Sequence, residues 1–473
     1  MSRTRRLPSV IQFNQLLSRV VNLKQYSAAI HLFKDICNLG ICVPNACTLS
    51  TLLKGLFREN RINEAQDLFR KIVNEGLCDL DVVTYGIMID GLCKAGNTPM
   101  AIQLLRVMKK GRSCKPNTHI YNMVINSLCK DSMIDSAFKL FDEMSEIGIS
   151  CNAVTYNALI CGLCNLSRWS EVKMLMEEMI GYKIYPEVVT FTTLVNALCK
   201  EGLVDEAEDV LHIMKQQNVI PNVFTYNSSI DGYCLQGRLD EARHMFREMR
   251  RKGLKPDVAT YNTILQGLFR GGLCCDALVF FDELQAVGLK PNFYTYCNVL
   301  DGLCRNSQVE RALLLLDALE HKGEEHLHIS YYNIVMDAFC ENKNLDAAQA
   351  IFKGLDSKAN VVAYTIMIKG YCQNGLLDEA QYLFPSMDQA NLSPDEVTYN
   401  VIVQGNLRNH KYEDAAKFLE DMDAKGFSPS SSTFALLLDL LDIKEHNSTI
   451  LKIFQKWSQS TLNKNQQVKQ LVC

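Results

Sequence analysis

VVTFTTLVNALCKEGLVDEAEDVLHIMKQQNVIPN, residues 188–222, holds two helical patterns in one short stretch. Val189, Phe191, Leu194, Val195 and Leu198 recur at helical spacing, and Lys200–Gly202 break the pattern. Asp205, Glu206 and Ala207 open a second helix, whose apolar face carries Ala207, Val210, Leu211 and Met214. Asn218 to Pro221 end it, because proline cannot continue a helix and forces the residue before it into an extended conformation.

The stretch is one copy of many. VVTYGIMIDGLCKAG stands at 82–96, AVTYNALICGLCNLS at 153–167, VFTYNSSIDGYCLQG at 223–237 and EVTYNVIVQGNLRNH at 396–410. Repeats start at 10, 46, 82, 118, 153, 188, 223, 258, 293, 329, 361 and 396, with a partial copy at 431. Twelve units thus fill 10–430, between a short basic segment, 1–9, and a closing cap, 431–473, in which Trp457 is expected to shield the last core layer. Eight of the eleven prolines, Pro44, Pro116, Pro186, Pro221, Pro256, Pro291, Pro394 and Pro429, fall one residue before a repeat ends.

A single helical hairpin cannot bury its apolar faces, but a stack of them forms a continuous core. The expected fold is therefore all-α: a right-handed α-α superhelical solenoid of about twelve hairpin repeats, first helices lining the concave surface. At 473 residues a chain would ordinarily divide into about three globular domains, and the repeat overrides that expectation.

Composition narrows the function. A net charge of −4 excludes a generally basic nucleic-acid coat but not a local basic groove. No apolar run is long enough to span a membrane. The N-terminus, MSRTRRLPSV, has no apolar signal region, so the 19 cysteines are expected to be free thiols in a reducing compartment. Cys93, Cys129, Cys164, Cys199, Cys234, Cys304, Cys340 and Cys372 share one repeat position and read as small buried packing groups. Cys161 and Cys164 form a C-x-x-C by accident of register, with no second such pair at zinc-ligand distance. Cys274–Cys275 reads as structural. No phosphate loop and no deaminase signature is present, so neither an enzyme nor a cofactor is expected.

The tetratricopeptide signature W-x₂-LG-x₂-Y is absent. The repeats instead resemble the P-type pentatricopeptide repeat: VTYNxLIxGLCKxG, DEAxxLFxEM, then GxxPD or GxxPN, as in LDEARHMFREMRRKGLKPD at 239–257. AYTIMIKGYCQNGLLDEA and STFALLLDLL are similar to the restorer-of-fertility subgroup of plant organelle proteins. The resemblance implies single-stranded RNA binding at one base per repeat, and an organellar location, mitochondrial or otherwise plastid. It further implies a monomer without membrane attachment, with protein partners that supply nuclease or other activity. Residues 1–34 hold six basic and no acidic residues, as a transit peptide would, yet the first repeat starts at 10, which points to a truncated N-terminus or another location.

In the family, the fifth and last residues of each repeat read a base, and the second residue wedges between neighbouring bases. Carried onto this chain, Asn14 with Asn45 implies C or U, Ser50 with Asp81 G, Asn122 with Asn152 C or U, and Thr192 with Asn222 A. Asn227 with Asp257 implies U, Asn262 with Asn292 C or U, Asn333 with Asn360 C or U, Thr365 with Asp395 G, and Asn400 with Ser430 C. Gly86/Asn117, Asn157/Glu187 and Cys297/His328 depart from the pattern. The implied target is 5′-YGnYnAUYnYGC-3′. The wedging residues would be Val83, Val154, Val189, Phe224, Val362 and Val397. Chemistry supports the last position: Asp only accepts and suits an imino N–H, whereas Asn can donate to a ring nitrogen.

Two plainer readings stand beside these. Asp or Asn before a helix is also a good N-cap. Arg58, Lys94, Lys130, Lys200, Arg270, Arg305 and Arg408 share the thirteenth position, where they could reach RNA phosphates or simply oppose the helix dipole. The runner-up function is a protein-binding scaffold. The repeat at 329–360 is short, and its second helix is expected to lose most of a turn, which would weaken reading by Asn360.

Overall fold

The computed structural model describes residues 10–38, 45–75, 80–111, 114–321 and 328–441. Apart from one three-residue 3₁₀ turn, every regular element among the described residues is an α-helix, and none is a strand. No helix among them is long and apolar enough to cross a membrane. The chain separates into two compact units, Met1–Gln236 and Gly237–Cys473.

In the first compact unit the leading helices are Val10–Asn22, Ala46–Arg58, Val82–Lys94, Thr118–Lys130, Ala153–Asn165, Val188–Lys200 and Val223–Leu235. The second helices are Tyr26–Asn38, Ile62–Glu75, Thr98–Lys110, Ile134–Glu146, Trp169–Gly181 and Val204–Gln216. Each leading helix packs on the next leading helix, and the first six also pack on the second helix of their own repeat. The second compact unit alternates the same way, from Leu239–Arg251 to Tyr412–Ala424, and Ser431–Leu441 packs on Glu396–Arg408. Leu437 of that last helix joins Val403, Leu407 and Leu419 in the core. The rest of the cap, with Trp457, lies outside the described residues.

Local chemistry sets the hairpin. A β-region Asn or Asp precedes most leading helices and accepts from the helix N–H three residues on, as Asp81 does from Thr84 at 2.8 Å. The fifteenth residue closes the turn between helices at positive φ. Glycine serves at Gly96, Gly202, Gly237, Gly272 and Gly375, where L-residues are strained, whereas Ser132, Ser167 and Ser307 accept the strain. The fourth residue supplies the largest buried side chains, Tyr121, Tyr156, Tyr261 and Tyr399. Their hydroxyls reach the second helix of the same repeat, Tyr121 donating to Glu143 at 2.8 Å and Tyr156 to Glu178 at 3.2 Å.

The cysteine row has a specific packing partner. Each of these cysteines is the twelfth residue of its repeat, and four of them, Cys129, Cys199, Cys340 and Cys372, face a glycine at the tenth position of the next repeat, where Cys93, Cys164 and Cys304 are followed by Ser127, Ala197 and Ala338. A Cβ on Gly162 would lie 2.8 Å from the Cβ of Cys129, and one on Gly232 would lie 2.5 Å from that of Cys199. Cys340 with Gly370 and Cys372 with Gly405 repeat the arrangement. Cys93 departs from it in being only half-buried, and Cys275 of the vicinal pair is exposed while Cys274 is buried.

Burial pushes the thiols of Cys129, Cys164, Cys199, Cys304, Cys340 and Cys372 up to about 12. A thiol raised on folding contributes stability below its unfolded value, about 8.5, and that contribution is lost as pH rises through the folded value. The melting temperature is therefore expected to fall from about pH 9 upward. In native protein at pH 8, iodoacetamide is expected to modify the exposed Cys47, Cys161 and Cys275 and to spare the six buried thiols. Peptide mapping reads the difference, and equal rates for Cys161 and Cys199 would contradict it.

The short repeat corrects one expectation. Leu345–Leu355 has 11 residues where the other second helices of this compact unit have 13, a loss of about half a turn rather than most of one. A 3₁₀ turn, Asp356–Lys358, then carries the chain to Asn360, which still caps its helix by accepting from the Ala363 N–H at 3.0 Å.

Candidate nucleic-acid interface

Residues two, five, nine and thirteen of a leading helix share one face, because their spacings of three and four match the helical period. The second residues stand out as exposed apolar groups. Val83, Val154, Val189, Phe224, Val362 and Val397 are between 52% and 71% exposed. Ile11 and Tyr294, at the same position, are exposed as well, although the sequence reading passed over them. Their position in the repeat was the signal that could have found them.

The fifth and last residues of a repeat meet one another. Asn14 Nδ2 donates to Asn45 Oδ1 at 3.0 Å and Asn122 Nδ2 to Asn152 Oδ1 at 3.1 Å. The same bond lengthens to 3.4 Å in Asn262–Asn292 and 3.5 Å in Asn333–Asn360. In the last repeat the Ser430 N–H donates to Asn400 Oδ1 at 2.8 Å. Where the fifth residue is Ser50, Thr192 or Thr365, the link runs through a threonine. Thr84, Thr225 and Thr398 lie 3.0, 2.7 and 2.8 Å from those hydroxyls and also bond Asp81, Asn222 and Asp395. Asn227 and Asp257 belong to different compact units, where Asp257 caps Val258–Arg270.

Capping uses only part of each last residue. Asn222 Oδ1 accepts from the Thr225 N–H and from the Thr225 hydroxyl, both at 3.0 Å. Asp81 Oδ1 accepts from the Thr84 N–H at 2.8 Å and its hydroxyl at 2.7 Å. One heteroatom is left over in each case, Nδ2 of Asn222 or Oδ2 of Asp81, and the donor or acceptor character of that atom is what distinguishes the two residue types. Capping thus occupies one side-chain atom and leaves the other available to a further partner. Most of these last residues are exposed, Asn222 being half-buried.

The three repeats that depart from the pattern differ from one another. Gly86 lines an open pocket of about 580 Å³, together with Val83, Asn117, His119 and Met123. Asn157 keeps a partner, its Oδ1 accepting from Thr190 Oγ1 at 2.7 Å, with Glu187 in the cap position. Around Cys297 and His328 the polar pair gives way to rings: His328 lies 4.6 Å from Phe293, which stacks on Tyr331 at 5.6 Å.

Arg58, Lys94, Lys130, Lys200, Arg270, Arg305 and Arg408 each end a leading helix and are exposed. Two are partly neutralised within their own helix: Lys94 pairs with Asp90 and Arg305 with Asp301, each at 2.7 Å. Lys130 and Lys200 have no such pair among the described residues. No group of His, Cys, Asp and Glu suited to a metal ion occurs among the described residues.

Stacked hairpins that repeat an exposed apolar residue, a half-used polar cap and a terminal cation define an α-helical repeat protein in which the same surface groups recur from hairpin to hairpin. The PPR repeat family model matches nine segments, from 44–94 to 395–441, and a second PPR repeat model matches 294–324 and 330–358. The chain belongs to the pentatricopeptide repeat family. Among solved structures it is similar to the pentatricopeptide repeat protein PPR10 in complex with an 18-nt psaJ RNA element, at 23% identity and a TM-score of 0.59, over 88% of this chain and 60% of that one. A triple Cys-to-Ser variant of that complex gives the same values. PPR10 from maize is similar at 21% identity and a TM-score of 0.49, over 96% of this chain and 74% of that one. The likeness is one of fold, and this chain spans about 60% of the length of the complexed protein it matches. The search of curated proteins returned no match.

Proposed function

We propose that this chain binds single-stranded RNA sequence-specifically, one base per repeat, with the target 5′-YGnYnAUYnYGC-3′. One observation carries the reading: in most repeats a capping Asn or Asp leaves a heteroatom unused two residues before an exposed apolar side chain, as at Val83, Val154, Phe224, Tyr294, Val362 and Val397. The apolar residue separates adjacent bases, and the unused heteroatom meets a base edge. The RNA-bound state of PPR10, a protein of the same fold, supports the reading. The chain supplies recognition in organellar RNA processing, stabilisation or translation control, in mitochondria or plastids, and partner proteins supply the chemistry.

Selection from a random RNA pool tests this. Enrichment of the stated motif is the expected result. Indifference to RNA would leave the protein-binding scaffold as the better reading.

Salt dependence tests the cations separately. Each phosphate contact to a single strand contributes about 0.7 to the slope of log K against log salt. Replacing both Lys130 and Lys200 with alanine is expected to flatten the slope by about 1.4 and to weaken all RNA sequences alike. Lys94→Ala is expected to change it less, because Asp90 already neutralises that charge. An unchanged slope in the double variant would assign these residues to the helix dipole alone.

A further inference from the structure

The third residue of most repeats is a threonine, and each of these threonines is fully buried, Thr48, Thr155, Thr190 and Thr433 among them. Its hydroxyl does more than cap its own helix. Thr48 donates to Asn14 Oδ1 at 2.6 Å, Thr155 to Asn122 Oδ1 at 2.7 Å, Thr190 to Asn157 Oδ1 at 2.7 Å and Thr433 to Asn400 Oδ1 at 2.6 Å. Each bond crosses from one repeat to the fifth residue of the repeat before it.

A hydroxyl has one proton to give, and an asparagine amide has one oxygen. Because the hydroxyl can also accept, the way round is fixed by the other end: Asn45 Oδ1 and Asn152 Oδ1 already accept from the Thr48 and Thr155 N–H groups and require a donor opposite them. In Asn14 and Asn122, Nδ2 is at the same time held by the neighbouring capping asparagine. Turning either amide over would set oxygen against oxygen at the capping asparagine, so the group presented to a base is fixed before RNA arrives.

Three junctions lack the threonine. At two of them the fifth residue is Gly86 or Cys297, which has no amide to orient, and the third residue of the next repeat is Ile120 or Tyr331. At the other, Asn333 faces Ala363. Asn333 is only 6% exposed, and its Oδ1 is buried without a hydrogen-bond partner. Its Nδ2 reaches Asn360 Oδ1 only at 3.5 Å. Asn262 Oδ1 is also unpartnered, although its junction has a threonine, Thr295, which donates to Asn292 at 3.0 Å.

We propose that the buried third-residue threonine is a positioning residue for specificity. It holds the Oδ1 end of the preceding repeat's fifth-residue amide and, with the capping residue at the Nδ2 end, keeps that amide in one setting toward the base. The junction of Asn333 with Ala363 is an unclamped site, and its base, the tenth, is read with a flatter preference than the first and fourth, which face the clamped Asn14 and Asn122. This rests on the RNA reading above, and the test separates the two.

The variants are Ala363→Thr, Ala363→Ser and Ala363→Val. Serine adds the hydroxyl with little bulk, and valine adds the shape of threonine without the hydroxyl. Thermal melts without RNA are expected to place threonine and serine above valine. Valine equal to or above threonine would overturn the clamp. With RNA, a four-way competition at the tenth base is expected to sharpen about threefold to tenfold in Ala363→Thr, as one added hydrogen bond allows. Wild-type binding with unchanged preference at that base in Ala363→Thr would overturn the specificity role. A protein that shows the hydroxyl-dependent gain in stability but binds no RNA would sink the RNA reading and leave the clamp standing.

Discussion

Gly232→Ala is expected to destabilise the protein by about 1–3 kcal/mol, although alanine is the better helix former. Gly232 lies inside the helix Val223–Leu235, where an exposed glycine would gain roughly 1 kcal/mol from this change. Here the new Cβ would sit 2.5 Å from Cys199 Cβ and 3.3 Å from Cys199 Cα. A backbone carbon cannot swing away like the end of a flexible side chain, so the two leading helices must part. Contacts in such an array run between neighbours, so the loss should centre on the repeats that meet there. Chemical denaturation of wild type, Gly232→Ala and the exchanged pair Gly232→Ala/Cys199→Gly measures it. The exchange puts the Cβ on the other helix and should recover part of the loss. An alanine variant more stable than wild type would mean that helix propensity outweighs this packing.

This contact also marks where the sequence stops being legible. The self-similarity of 188–222 with its neighbours carries the helical fold, because a helix period and a capping residue are both local. That Cys199 is buried follows from its repeat position too. That it is buried against Gly232 does not, because the partner is in the next repeat and only stacking brings the two together. The candidate site divides the same way. Asn222 is identifiable as a cap or a base reader from its place before Val223, but which of its atoms the cap consumes depends on the geometry of Thr225. The link from Thr155 to Asn122 spans 33 residues and leaves no local signature. Asp90 beside Lys94 is different: it stands four residues away on the same helix face, so the ion pair could have been read directly.

Asn222→Asp is expected to change the preferred sixth base from A to G while leaving the fold nearly untouched. Asn222 Oδ1 holds the cap through Thr225, and an aspartate oxygen can take over both of those bonds. A carboxylate at a helix N-terminus is also favoured by the dipole, so stability should be held or slightly raised. What changes is the remaining atom. Nδ2 donates and can meet N1 of adenine, whereas Oδ2 only accepts and can meet the N1–H of guanine. Thr192, 2.7 Å from the Thr225 hydroxyl, is common to both versions, so the fifth residue cannot account for a switch. By analogy with base-edge contacts elsewhere, the discrimination should be about 1–3 kcal/mol. Competition among four RNAs that differ only at the sixth base measures it. A uniform loss across all four would mean that the added charge merely repels RNA. No change would leave Asn222 as a helix cap only, and the base assignments along the rest of the chain would fall with it.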